Sequence, residues 1–535
     1  METSAVRSSA IRQESHLETD GIGSMSIAED IRNSGKLTPH RFWSRDRPHS
    51  KNAIENWTFA AAMVLAVFYF ASSLYFASHR LFWFDEVLTV YVARLPNWTT
   101  IWTALAHATD TMSPVYDMIV RASDKLFGHS EVAARLPSAL AMLGGLLLTF
   151  DCARRLTDGL HGLIALSLLT CTFLPYYGYE ARSYAIYFML AALALWVWIF
   201  AKDDKRFSAI FFGLVCFLGV SIHLYFVLCL VPYALWEFSR WKPWHPPSPQ
   251  LIAGVLGMMV SIGLLLWVIL PLARQFSAGF WAPPSLFALR SVFPQLFPDG
   301  LFLLALTIIW IVLAGGKNKN AVPEPMQPAE AVSWLFLTIP LAGFVLAELK
   351  TNAFYSRYFM GVLPGVAVAF SCWLWRFFHQ KRRVAFGIFL LLAIWGVAKQ
   401  VAVTRHPELV YTFPQEAHIR DYLKLAGLLR DDGKRYMVFS NPILYLEIQY
   451  YAKQECVLLL SPNASEGPIS ADAARYELNL AHYRPLHFWT PEDLKKHAQE
   501  TALIRPSQGM LDALREAGLR TQVRSARPLE VVYVQ

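Results

Sequence analysis

Charge is scarce in this sequence: only 16% of its 535 residues are Asp, Glu, Lys or Arg, against roughly 25% in an ordinary soluble protein. That scarcity, with 55% hydrophobic and 14% aromatic residues and a mean hydropathy of +0.33, excludes a soluble globular chain and indicates a polytopic membrane protein. Six cysteines are present, but they form neither a disulfide framework nor a zinc spacing. Cys152, Cys171, Cys216, Cys229 and Cys372 lie in or beside apolar runs, leaving Cys456 alone in the polar C-terminal part. No Gly-rich phosphate loop stands among the inner loops, which argues against nucleotide binding there. An internal repeat is also missing. The net charge of +8 does not point to nucleic acid, because the basic residues cluster between apolar runs, as the positive-inside rule requires.

Taken in order, residues 1–56 are Ser-rich and polar, collecting Arg32, Lys36, Arg41, Arg45, Arg47 and Lys51 in their second half. They read as a disordered cytoplasmic tail. The first apolar run, 57–78, then reads as a signal anchor retained in the membrane. Further runs at 136–150, 160–174, 183–200, 209–221, 225–238, 251–272, 301–314, 332–347, 358–378 and 384–403 bring the expected spans to about eleven. An odd number places residues 404–535 outside, as a small α/β domain with a helix at 416–429, a strand at 435–440, a helix at 443–452 and strands at 457–460 and 530–534. The first external loop, 79–135, holds amphipathic pieces at 98–108 and 115–127 that suit the membrane interface. A second long external loop, 273–300, is rich in Pro and aromatics and reads as a lid.

Directly after the first span comes LFWFDEVLTVYV, in which Asp85 and Glu86 stand side by side. Two readings compete. Carboxylates in a first helical turn are favoured by the macrodipole, and an acidic pair at a membrane surface can also serve as a general base or electrostatic site. The expected topology places Asp110, Glu180, Arg182, His223, Tyr355, Arg357 and Tyr358 on the same outer face. Taken singly, each suits an interfacial anchor. Together, acidic residues from two loops and arginines from two others make a site for acid–base chemistry on an anionic ligand, since guanidinium groups hold phosphate bidentately.

Three stretches carry a family resemblance: WFDE at 83–86, YEARSYA at 179–185 and YSRYFMGVLPG at 355–365. With the looser DTMSPVYDMI at 110–119 and His223 followed by Tyr225, residues 57–403 resemble the integral-membrane glycosyltransferases of the GT-C fold that use polyprenyl-phosphate sugars. The likeness is to the branch of protein O-mannosyltransferases, lipid A aminoarabinose transferases and lipopolysaccharide-core galacturonosyltransferases. It implies a GT-C-like transmembrane catalytic domain in the bacterial cytoplasmic membrane, with its active site outside. Asp85 would be the catalytic base, with Glu86 as support or metal contact and Glu180 as a second acidic residue. Arg182 and Arg357 would bind the donor phosphate, with Tyr355 and Tyr358 lining the donor site and Asp110, Tyr116 and His223 as further candidates. One departure is visible: Met112, Ser113, Pro114, Val115 and Tyr116 stand where the aminoarabinose transferases carry Lys-Pro-Pro-Leu-Tyr, which weakens any transfer of their donor preference.

The implied reaction is inverting displacement at the anomeric carbon, with a glycolipid, polysaccharide or protein hydroxyl as acceptor. Asp85, Glu86 and Glu180 could offer hard oxygen ligands to a divalent metal, but no His-rich set or dense Asp cluster demands one. The rival reading is a polytopic transporter or lipid flippase. Transporters place ionisable groups near the midplane, often in repeated halves, whereas the distinctive charges here sit at span ends.

Overall fold

The chain turns polar at Arg80 and resumes as a helix at Phe84, and that break begins the part of the structure that matters most. The computed structural model describes residues 53–200, 205–240, 246–276, 282–313, 326–409, 413–460, 475–516, 518–525 and 530–534. The expected tail lies outside the described residues, except for 53–56, which are helical.

Helix α1, Ala53–His79, fills the first expected span. Three short helices follow: α2 Phe84–Ala93, α3 Trp98–Ala106 and α4 Pro114–Phe127. Their starts are written in the sequence. Asn97 accepts from the Thr100 N–H at 2.8 Å, and Pro114 takes the N1 position, where a missing N–H costs nothing. Helix α5, Glu131–Leu156, is capped by Ser130, which accepts from the Ala133 N–H at 3.1 Å.

Each expected span contains an apolar helix, but length alone supports only five spans, at Asn56–His79, Glu131–Leu156, Pro249–Pro271, Pro328–Thr351 and Arg382–Arg405. A sixth is formed if Leu286–Leu296 and Gly300–Leu313, bent by 55°, count as one. That pair corrects the reading of 273–300 as loop, since Leu286–Leu296 within it is helix. The remaining five apolar helices have only 10–17 residues, about 15–26 Å at 1.5 Å per residue, short of the roughly 30 Å hydrocarbon layer. Several of them stop where the chain unwinds at 178–183 and at His223. Irregular backbone is tolerated at such depth only where protein buries it or a cavity is lined.

The C-terminal part forms a six-stranded sheet of β1 Tyr436–Phe439, β2 Glu455–Leu459, β3 Phe488–Trp489, β4 Thr501–Ile504, β5 Thr521–Ser525 and β6 Val531–Val534, in the order β3-β2-β1-β4-β6-β5. Strand β1 runs parallel to both neighbours, with Val438 opposite Val457 and Leu503, while β6 is antiparallel to β4 and β5. Its apolar clusters cover both faces of the sheet. Leu446 and Leu480 instead join the large core of the membrane helices, so the sheet domain is seated on that bundle through the helices Pro442–Tyr451 and Arg475–Ala481, and through Phe413–Asp431, whose Glu416 accepts from Arg80 and the Leu81 N–H.

Close helix approach needs small residues. A Cβ on Gly257 would overlap the Gly213 carbonyl on the facing helix. Gly257→Leu is therefore expected to cost about 1–3 kcal/mol by overpacking, read as a lower melting temperature of the detergent-solubilised protein.

Candidate active site

Asp85 and Glu86 both fall in the first turn of α2, as the macrodipole reading expects. Their surroundings nevertheless divide them. Glu86 is 1% exposed and grips Arg135 from α5 bidentately, accepting from Nε at 2.7 Å and Nη2 at 2.6 Å. It also accepts the Ala181 N–H at 2.7 Å and the Trp83 N–H at 3.4 Å. Arg135 in turn donates to the carbonyls of Ala77, Arg80 and Leu81 at 2.9–3.1 Å. Both Glu86 oxygens are thus committed to a buried brace, which leaves the residue poorly placed as a metal ligand.

Asp85 points elsewhere. Its Oδ2 lies 3.1 Å from Arg357 Nη1 and 4.0 Å from Arg182 Nη2, and its side chain keeps 16% exposure. Arg182 is anchored by its other groups: Nη1 donates to Asp110 Oδ2, to Thr89 Oγ1 and to the Asp85 carbonyl, each at 2.9 Å. Asp110 also accepts from Thr89 Oγ1 at 3.3 Å and from the Thr111 N–H at 2.6 Å. The Arg357 guanidinium lies 5.2–5.9 Å from the ring centres of Tyr355, Tyr184 and Trp83. Such an aromatic box holds a cation without neutralising it.

Glu180 accepts from Trp83 Nε1 at 2.9 Å. Burial pushes its carboxyl up to about 8, helped by the negative charges of Glu86 and Asp85 and opposed by Arg357 and Arg182. Its Oε2 and the Nε of Arg182 are both buried without a hydrogen-bond partner, polar atoms that a bound ligand would complete. His223 stacks on Tyr187, with centroids 4.9 Å apart and planes 8° from parallel, and lies 5.9 Å from Tyr358. Burial and the two arginines push its imidazole down to about 3, so it faces the site neutral.

The structure therefore brings together Asp85, Asp110, Glu180, Arg182, His223, Tyr355, Arg357 and Tyr358. Tyr116 lies behind them: it is fully buried, with its hydroxyl 3.3 Å from Ser138 Oγ, which donates to the Arg182 carbonyl at 3.1 Å. Among the described residues no group of three His, Cys, Asp or Glu is arranged to hold a metal ion, and arginines face the carboxylates that were candidates. Sequence reasoning missed Arg135, Thr89 and Tyr184. Arg135 had a faint signal, a charge at the threshold of an apolar run, but Glu131 four residues earlier offers a local partner that masks it.

Removing one partner of a buried ion pair leaves the other charge stranded, so Arg135→Ala is expected to cost about 3–5 kcal/mol, measured by thermal unfolding in detergent. Glu86→Gln, which retains an acceptor for the Ala181 N–H, should cost less. The Glu180 carboxyl titrates higher in the folded state than the usual 4.5, so the stability it contributes is complete below that value and is lost as pH rises through about 8. The melting temperature should fall across this window, and Glu180→Gln should flatten the fall.

Residues 107–267 match the family described as dolichyl-phosphate-mannose-protein mannosyltransferase. No curated protein matches the sequence. Among solved structures, ArnT from Cupriavidus metallidurans bound to undecaprenyl phosphate is similar at 12% identity, with a TM-score of 0.57 over 89% of this chain and 97% of that one. ArnT from the same organism in the apo state gives 12% identity and a TM-score of 0.58 over 90% and 98%. The chain is an integral membrane protein with the GT-C fold seen in these ArnT structures.

Proposed function

We propose that this chain is a glycosyltransferase that moves a sugar from a polyprenyl-phosphate donor to an acceptor hydroxyl at the outer face of the bacterial cytoplasmic membrane. One observation carries the reading: a single partly open carboxylate, Asp85, faces two guanidinium groups, Arg357 at 3.1 Å and Arg182 at 4.0 Å, in a fold whose ArnT example was solved with undecaprenyl phosphate. Base and phosphate-binding groups thus stand side by side.

The acceptor oxygen attacks the anomeric carbon while the bond from that carbon to the phosphate oxygen breaks, and configuration inverts. The electron pair leaves with the phosphate. Asp85 takes the acceptor's proton, and Arg182 and Arg357 hold the charge that develops on the departing polyprenyl phosphate. The carboxyl of Glu180, protonated near neutral pH, is a proton donor for that leaving group. Asp85 lies 3.1 Å from Arg357 Nη1, so a phosphate bound by that guanidinium would stand next to the base. An apolar cavity of about 400 Å³, lined by Phe293, Phe297, Leu304, Val366, Phe370 and Leu392, offers room for part of an isoprenoid tail. The acceptor class is a hydroxyl of a glycolipid, polysaccharide or protein.

Membranes carrying the protein should transfer label from polyprenyl-phosphate sugars to an extractable glycoside. Asp85→Asn is expected to slow transfer by about 10²–10⁴-fold with the lipid still bound, whereas Arg357→Ala should weaken polyprenyl-phosphate binding as well. Full transfer by both variants would sink the assignment. Flux across liposomes without a glycoside product would favour a transporter.

A further inference from the structure

The helix that carries Asp85 holds only part of its own start, through Glu86 accepting the Trp83 N–H. The Phe84 N–H, one residue before the base, donates to Glu447 Oε1 at 2.8 Å, and the Phe82 N–H donates to the Tyr451 hydroxyl at 2.7 Å. Both acceptors belong to the Pro442–Tyr451 helix, more than 350 residues further along the chain. The Arg475–Ala481 helix makes the second contact. Tyr476 stands edge-on to Phe84, with centroids 6.2 Å apart, and lies close enough to feel the charges of Asp110, Asp85 and Arg182. On the other side of the site, Asn479 Nδ2 donates to the Ala108 carbonyl at 3.1 Å. Ala108 has φ +57°, a left-handed conformation that a non-glycine residue holds only when its surroundings impose it, and it lies two residues before Asp110.

We infer that the C-terminal domain is part of the catalytic machinery, with Glu447 as a positioning residue that fixes the first turn of α2 and so the placement of Asp85. Orphan N–H groups at a helix start require acceptors, and here a buried carboxyl from the far end of the chain supplies one. Glu447 is 3% exposed. Burial pushes its carboxyl up to about 8, the Phe84 N–H lowers it and the negative charge of Asp85 raises it further. At neutral pH it therefore acts as a hydrogen-bond acceptor without placing a full negative charge beside the base. The kinetic part of this inference rests on the displacement proposed above, whereas the structural part does not.

The test uses the full-length protein with Glu447→Ala and Glu447→Gln. Hydrogen exchange in a peptide covering residues 81–92 should speed up in the Ala variant and stay at the wild-type rate in the Gln variant, whose amide oxygen still accepts the Phe84 N–H. In transfer assays, Glu447→Ala should lower kcat by about ten- to a hundredfold, the cost of a small misplacement of a reacting group. Affinity for undecaprenyl phosphate should remain within about twofold, since Arg182 and Arg357 are untouched. Glu447→Gln should retain most of the rate. Unchanged exchange in the Ala variant would overturn the inference, as would equal loss of rate in both variants or a parallel loss of undecaprenyl-phosphate affinity. If wild-type protein shows no transfer, the proposed function fails and the exchange data still decide the role of Glu447.

Discussion

Five donors on one guanidinium hold the centre of this molecule. Arg135 enters from α5 and binds both Glu86 oxygens, then spends its remaining hydrogen bonds on carbonyls of residues 77, 80 and 81. Those carbonyls belong to the end of α1 and the turn after it, and Glu86 belongs to the start of α2. Through the Ala181 N–H, Glu86 also fixes the loop that carries Glu180 and Arg182. One buried ion pair thus joins the first span, the Asp85 helix, the α5 span and the second loop of the site. Such a pair adds little net stability over apolar packing, but removing one partner is costly. Its worth is in geometry.

Around that brace, identical functional groups are given different tasks by their environments. Glu86 is saturated with hydrogen bonds, Asp110 is spent on Arg182, Glu180 is buried with one unpartnered oxygen, and Asp85 alone keeps partial exposure beside two cations. The arginines divide in the same way. Arg135 is held by one buried carboxylate, whereas Arg357, paired with Asp85, is also walled by aromatic rings.

Much of this was legible in the sequence, because the signals are local. The apolar runs fixed the helices within a few residues, and WFDE, YEAR and YSRY marked side chains that do converge. Three of the six strands, β1, β2 and β6, followed from short β-branched and aromatic runs such as 436–439, whereas β3, β4 and β5 were not read from the sequence. Where the reading ran out, the physics was long-range. The bond between Arg135 and Glu86 spans 49 residues and that between Phe84 and Glu447 spans 363, so no periodicity announces either. The helix at Leu286–Leu296 was read as loop because Pro294 and its Pro-rich flanks suggested irregular chain, although Ser285 caps the helix through the Ala288 N–H. The runs 160–174 and 358–378 outlast their helices, Gly159–Thr170 and Val362–Phe378, because composition counts apolar residues and does not show where a helix unwinds.

That unwinding bears on the depth of the reaction. Because helices such as Gly159–Thr170 and Tyr184–Phe200 are shorter than a full span, the polar floor of the site lies deeper along the bundle than full-length helices would set it. A lipid-borne phosphate could reach the guanidiniums while its tail stays in hydrocarbon. Lifting such a chain into water would cost about 0.8 kcal/mol for every CH₂ exposed, a penalty that a sunken site avoids.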